Sequence, residues 1–77
     1  MAEKRRKPTE IIPGRAYRLS TFGERSNNVV LVTRIERATR TSRIVFITPL
    51  RGCPVWECTS YHDMMRRIWC EEPGMVQ

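Results

Sequence analysis

The stretch VVLVTRIERATRTSRIVFI, residues 29–47, contains two apolar, β-branched runs separated by a polar segment. Residues 29–37 and 43–48 are predicted to form strands, because valine, isoleucine and phenylalanine favour the pleated backbone. The segment between them, residues 38–42, has the polarity and the ordinary length of a hairpin loop. The stretch therefore predicts an antiparallel hairpin at the centre of the fold.

Both strands of this hairpin carry apolar residues on both faces over part of their length, which indicates burial on two sides. In a chain of 77 residues, a tightly curled sheet, a helix over the second face or a homodimer interface would supply that burial. The sequence leaves these three alternatives open.

A shorter strand is predicted before the hairpin, over residues 15–20. In it, Tyr17 and Leu19 share one face and Arg18 points the other way. Residues 21–28 are rich in turn-forming residues and are predicted to be a loop.

Two further elements are predicted after the hairpin. Residues 55–58 follow a turn segment and are predicted to form a short fourth strand. The apolar period then changes to that of an amphipathic helix, with Ser60 and Asp63 as a capping-box variant, Thr59 as the other N-cap candidate and Pro73-Gly74 as the stop. We expect the apolar stripe of this helix to pack against the sheet. The stripe consists of Tyr61, Met64, Met65, Ile68 and Trp69.

We therefore predict a mainly β (α+β) fold, a small curled antiparallel sheet or SH3-like barrel of about four strands with one C-terminal amphipathic helix. Residues 11–70 would form this single domain. Residues 1–10 are predicted to be a disordered basic arm, and residues 71–77 a flexible tail.

Four short features follow one another along residues 11–70: Pro13-Gly14-x-x-Tyr17, the strands 29–32 and 44–47, and Gly52-Cys53-Pro54 before a helix over 61–68. This order resembles short phage and prophage proteins of unknown function that have a small SH3-like barrel. The resemblance implies a small accessory module in the cytoplasm of a bacterial host cell. It implies either nucleic-acid binding or inhibition of a host protein.

Size and charge restrict the class of protein. A chain of 77 residues is too short for a large enzyme or a multidomain machine, and no apolar run approaches the length of a membrane span. The start has no apolar run of the secretory kind, so a cytoplasmic location and no membrane partner are expected. Residues 1–52 hold twelve basic and four acidic side chains, a balance of +8, whereas residues 53–77 hold two and four, a balance of −2. The positive field favours an acidic partner.

No motif of catalysis or of cofactor binding is present, and we expect neither an enzyme nor a cofactor. Cys53, Cys58, His62 and Cys70 are suitable zinc ligands by type, but their spacing is not a standard one. On one helix His62 and Cys70 would lie about 12 Å apart along the axis, too far to share an ion. We therefore expect no metal site and buried thiols.

The central hairpin is the strongest candidate for a binding site, because four arginines bracket and fill it. Arginine donates two hydrogen bonds to one phosphate, and hydroxyl side chains also contact nucleic-acid backbones. If the strands pair, the four guanidinium groups are expected to cluster at one end of the sheet. The predicted contacts are Arg34, Arg37, Arg40 and Arg43, the hydroxyl residues Thr39, Thr41 and Ser42, and, in the N-terminal arm, Lys4, Arg5, Arg6 and Lys7.

Exposed aromatic rings would favour a binder of single strands. Phe46, Trp56 and Trp69 lie in apolar patterns and are expected in the core, which leaves Tyr17 and Phe22 as candidates. The sequence therefore predicts contact with the nucleic-acid backbone rather than reading of bases.

The leading prediction is a non-catalytic module that binds DNA or RNA through the basic hairpin. The alternative is a small inhibitor of the anti-defence type that binds an acidic surface of a host protein. A third interpretation is that the charges only protect a sheet edge from aggregation.

Overall fold

The structure is a computed structural model that describes residues 7–75 of the chain. Its strands form one sheet in the order β4-β3-β2-β1-β5, and every neighbouring pair is antiparallel. The elements are β1 (Ala16–Thr21), β2 (Glu24–Arg37), β3 (Arg43–Arg51), β4 (Cys58–Ser60), the helix α1 (Tyr61–Arg67), β5 (Ile68–Glu71) and a 3₁₀ turn (Pro73–Met75).

The predicted central hairpin is present as β2 and β3. Val32 lies opposite Ile47 and Ile35 opposite Val45, so the apolar runs of the two strands face each other in register. The ladder shifts register between Val32 and Arg34, and such bulges bend a strand. β2 has 14 residues and pairs with β1 on one side and β3 on the other, so it is the central strand of the sheet.

The predicted loop over residues 21–28 is wrong. Only Phe22 and Gly23 form the turn, and Thr21 pairs directly with Glu24. Both turn residues have positive φ, +52° and +78°, the signs that a type I′ hairpin turn requires. Polar residues 24–28 extend β2, where Glu24 and Arg25 pair with Thr21 and Ser20 of β1, and no apolar pattern in the sequence marks that pairing.

The fourth strand is displaced from its predicted position. β4 covers residues 58–60 and pairs with β3 through Ile44–Ser60 and Phe46–Cys58, whereas Val55 is almost fully exposed. A three-residue strand has little local signal, so its position depends on which residues reach the edge of β3.

The predicted helix begins where expected but ends early. The Asp63 amide donates to the Ser60 hydroxyl oxygen over 3.1 Å, which confirms the predicted cap. Residues 68 and 69, predicted as helical, belong instead to β5, where Ile68 lies opposite Leu19. Within residues 7–75 the sheet therefore has five strands rather than about four, because β5 satisfies the free edge of β1.

The core lies on one face of the sheet and is covered in part by α1. Met64 and Ile68 from the apolar stripe are fully buried, while Tyr61 and Met65 pack against the core from its margin. The buried cluster consists of Ile11, Tyr17, Leu19, Val30, Val32, Val45, Ile47, Met64 and Ile68.

Two tyrosine hydroxyl groups hold residues 11 and 12, which precede β1, against this core. The amide of Ile11 donates to the Tyr61 oxygen over 2.8 Å, and that of Ile12 to the Tyr17 oxygen over 2.9 Å. Burial raises the pKa of Tyr17 above its ordinary value, so its phenol is neutral at physiological pH.

Arg18 points away from Tyr17 and Leu19 as predicted, yet it is buried. Its Nε donates to Glu72 Oε1 over 2.6 Å, and its Nη1 donates to the Ser26 carbonyl over 2.9 Å. β5 and this ion pair extend the domain to residue 72, beyond the predicted boundary at 70.

Gly52 provides a test of the close approach between the end of β3 and Asn28 of β2. It has φ of +79°, and a Cβ atom there would lie against the Asn28 side chain and 3.1 Å from the Asn28 Cα. Gly14 has φ of +89° with open space around it, so Gly14→Ala is the matched control for backbone strain alone. We expect Gly52→Ala to lower the free energy of unfolding by about 1–3 kcal/mol more than Gly14→Ala, since only the former adds a clash. Urea denaturation measures both, and equal losses would contradict the close approach.

Among residues 7–75, the chain forms no helix that is long and apolar enough to cross a membrane.

Candidate nucleic-acid interface

The loop that joins β2 to β3 is held by its own polar groups. The amides of Ala38 and Thr39 donate to the Ser42 carbonyl over 3.0 and 3.2 Å. The Thr39 hydroxyl oxygen accepts from the amides of Thr41 and Ser42, and it lies 2.7 Å from the Ser42 hydroxyl. The hydroxyl groups of Thr39 and Ser42 were predicted to contact a nucleic-acid backbone. They also stabilise the conformation of the loop between the two strands.

Arg37 and Arg43 are directly opposite each other at the end of the hairpin. Like charges at opposed positions of a sheet repel, so this pair opposes strand pairing. Both residues are exposed, and within residues 7–75 no carboxylate lies within 4.0 Å of either guanidinium group. The arrangement places two exposed arginines at directly paired positions on the same face of the hairpin end.

The Arg43 guanidinium is held in place by a ring. Its Cζ lies 3.8 Å from the centroid of Tyr61, which is the distance of a cation–π contact. This contact restricts the Arg43 side chain before any ligand arrives, while the residue stays exposed to solvent. The stack opens onto a cleft of about 310 Å³ between the hairpin loop and the start of α1. The cleft is lined by Thr41, Ser42, Arg43, Ser60, Tyr61, His62 and Met65.

Arg34 does not join this pair, so the expected cluster of four guanidinium groups is wrong. Arg34 lies opposite Phe46, on the face away from buried Val45 and Ile47, and its Cζ is 3.9 Å from the Phe46 ring centroid. Its Nε also lies 3.3 Å from Glu36 Oε1. Alternation of side chains along the strand puts Arg34 and the Arg37–Arg43 pair on opposite faces.

The remaining predicted contacts lie at the edges of this site or outside it. Arg40 is exposed within the loop, and Lys7 is exposed at the start of the described chain. Lys4, Arg5 and Arg6, predicted as arm contacts, lie outside the described residues.

The two aromatic residues predicted as candidates for base stacking differ in burial. Tyr17 is fully buried and offers no stacking face, whereas Phe22 is fully exposed. Phe46, Trp56 and Trp69, expected in the core, are only partly buried. Trp56 packs against the core margin, with the Arg67 Cζ 5.3 Å from its ring centroid.

The cysteines do not match the expected buried thiols at two of three positions. Cys53 and Cys58 are exposed, and Cys70 is partly buried. Burial, assisted by the negative charge of Glu72, raises the pKa of the Cys70 thiol. Within the part of the chain that the structure describes, no three histidine, cysteine or acidic side chains are placed to hold a metal ion.

Sequence reasoning missed four residues of the cleft, Ser60, Tyr61, His62 and Met65. The helical period had placed Tyr61 and Met65 in the core and His62 on the outer surface of the helix. The signal that would have found them is not local, because it requires the contact of α1 with β3.

Comparison of the chain with models of protein families, with curated proteins and with solved structures finds no match.

Proposed function

We propose that this protein is a non-catalytic module that binds nucleic acid by its phosphate backbone at the end of the central hairpin. The observation that carries the proposal is the direct opposition of Arg37 and Arg43, exposed and without a carboxylate partner among the described residues. A phosphate between the two guanidinium groups would replace their repulsion with two sets of charge-assisted hydrogen bonds.

Preorganisation supports the same proposal. Arg43 is stacked on Tyr61, and the loop carrying Arg40 is closed by the hydrogen bonds of Thr39 and Ser42. Groups that are ordered before binding lose less entropy when the ligand arrives. Contacts of this type position a protein on the backbone and carry no base sequence, so we expect binding with little sequence preference.

The fold is compatible with the wider proposal of a small accessory protein of phage type in the bacterial cytoplasm. The strands β1 to β4 form a meander, and α1 leads into β5, which returns to β1. Together with the register shifts in β2, this order supports the proposal that the sheet curls like a small SH3-like barrel.

The test uses two double variants that remove the same charge from the same two strands. Arg37→Gln with Arg43→Gln removes the opposed pair, and Arg34→Gln with Arg51→Gln removes two exposed arginines elsewhere. Binding of labelled duplex DNA is measured by fluorescence anisotropy across a salt series. We expect the first variant to lower the slope of log affinity against log salt by roughly 0.9 per lost contact, and the control to change it little.

Two results would overturn the proposal at different levels. Equal effects of the two double variants would show that overall charge, rather than this site, binds the nucleic acid. If the wild-type protein bound neither duplex nor single strand at low salt, the nucleic-acid proposal would be wrong. The inhibitor of a host protein would then be the better hypothesis, and its apolar interface would depend less on salt.

A further inference from the structure

Phe22 occupies a position that stability does not explain. It lies in the two-residue turn between β1 and β2 with φ of +52°, and its side chain is completely exposed. A bulky residue in the left-handed region is strained, and asparagine or glycine is preferred at such a turn position. The ring gains no packing in return. Strain that is kept without a packing benefit is typical of functional positions.

The surroundings of Phe22 are basic. The turn and the end of α1 enclose an open cleft of about 490 Å³, lined by Ser20, Phe22, Gly23, Asp63, Arg66 and Arg67. The Ser20 hydroxyl donates to the Arg67 carbonyl over 3.2 Å, which ties β1 next to this turn to the helix end. Asp63 Oδ1 lies 4.0 Å from Arg66 Nη1. The guanidinium groups of Arg66 and Arg67 and the carboxylate of Asp63 together give the cleft a net charge of +1. That charge complements one phosphate group.

We propose that this cleft binds one unpaired nucleotide of a single-stranded nucleic acid, with its base stacked on Phe22 and its phosphate on Arg66. The inference rests on the proposed function and names the form of nucleic acid. An aromatic ring beside cations is the arrangement that binds single strands, because every unpaired base offers a flat face. In a duplex both faces of an internal base are covered by its neighbours, so Phe22 would contribute little there.

The site also lies apart from the hairpin site. Phe22 and Gly23 precede β2 and Arg37 ends it, so the two sites lie at opposite ends of a 14-residue strand that spans up to about 43 Å if fully extended. A strand that reaches both sites would make phosphate contacts at one end of β2 and a stacking contact at the other. Loss of one site therefore leaves the other available.

The test replaces Phe22 by Asn, which removes the ring and suits the left-handed turn, so the fold is retained. Affinity is measured by anisotropy for a labelled 20-nucleotide thymidine strand and for a duplex of the same length. We expect Phe22→Asn to weaken binding of the single strand about tenfold and to leave duplex binding unchanged. Phe22→Tyr, which keeps a ring, should restore single-strand affinity. Val55→Asn is the matched control, since Val55 is equally exposed but lies in a different loop.

The outcomes separate this inference from the proposed function. Unchanged single-strand affinity in Phe22→Asn, with wild-type binding to both forms, would overturn the stacking site and leave the hairpin proposal intact. An equal loss for single strand and duplex would also overturn it, because the ring would then not distinguish unpaired bases. Absence of any wild-type binding would overturn both.

Discussion

Replacing Ile68 by alanine is expected to lower the free energy of unfolding by about 2–5 kcal/mol, the usual cost of truncating a buried aliphatic side chain. A domain of this size rarely has more than roughly 3–5 kcal/mol in total, so much of the protein should be unfolded at room temperature. Ile68 is fully buried and lies opposite Leu19 in the pairing of β5 with β1. Urea denaturation followed by circular dichroism measures the loss.

Comparison with Trp69→Ala tests whether residues 68 and 69 belong to a strand or to the helix. If residues 61–69 were one amphipathic helix, both side chains would lie in the core, and the larger Trp69 would cost more to remove. In β5 Ile68 is fully buried, whereas Trp69 is only partly buried. We therefore expect Trp69→Ala to be less destabilising than Ile68→Ala. The reverse order would contradict the strand assignment.

The second large effect is expected at the ion pair of Arg18 and Glu72. The Arg18 side chain is 6% exposed, and its Nε lies 2.6 Å from Glu72 Oε1. Glu72→Met would leave the buried guanidinium without its counter-charge, and the expected loss is about 3 kcal/mol. The reason is that the buried guanidinium has lost its hydration and would keep only its hydrogen bond to the neutral Ser26 carbonyl.

The double variant Arg18→Met with Glu72→Met removes both charges, and we expect it to be more stable than Glu72→Met alone. The exposed pair of Arg34 and Glu36, with side chains 58% and 53% exposed, provides the control. Glu36→Met should change the free energy of unfolding by about 0.5 kcal/mol or less, because solvent screens such pairs. A double variant as unstable as the single one would show that Arg18 contributes mainly by packing.

The candidate site could be predicted only in part. The basic hairpin is visible in the sequence, because its arginines lie within one short stretch between two strong strands. The sequence alone did not show that residues 34–37 pair with β3 without a shift, so that side-chain alternation puts Arg34 on the face opposite Arg37 and Arg43. The stack of Arg43 on Tyr61 was equally hidden, because 18 positions separate the two residues in the chain.

The exposure of Phe22 could not be predicted from the sequence for a different reason. Composition identified it as one of two aromatic rings that could be exposed, and only the structure separated it from buried Tyr17. The predicted loop over residues 21–28 also hid the turn, because polar residues 24–28 carry no strand signal. Their pairing with β1 concentrates the change of direction in two residues and exposes the ring.

The sequence by itself determined the elements whose signal is local: the central hairpin, from two β-branched runs around a polar loop, and the start of α1, from Ser60 and the apolar period. The tertiary structure alone decided β4, β5, the burial of Arg18 and the stack of Arg43 on Tyr61. The physical reason is that a long apolar run or a cap acts through neighbours in the chain. A short edge strand instead forms because a strand that is distant in the sequence has backbone N–H and C=O groups without partners. A buried ion pair forms because a charge that the fold buries needs a counter-charge.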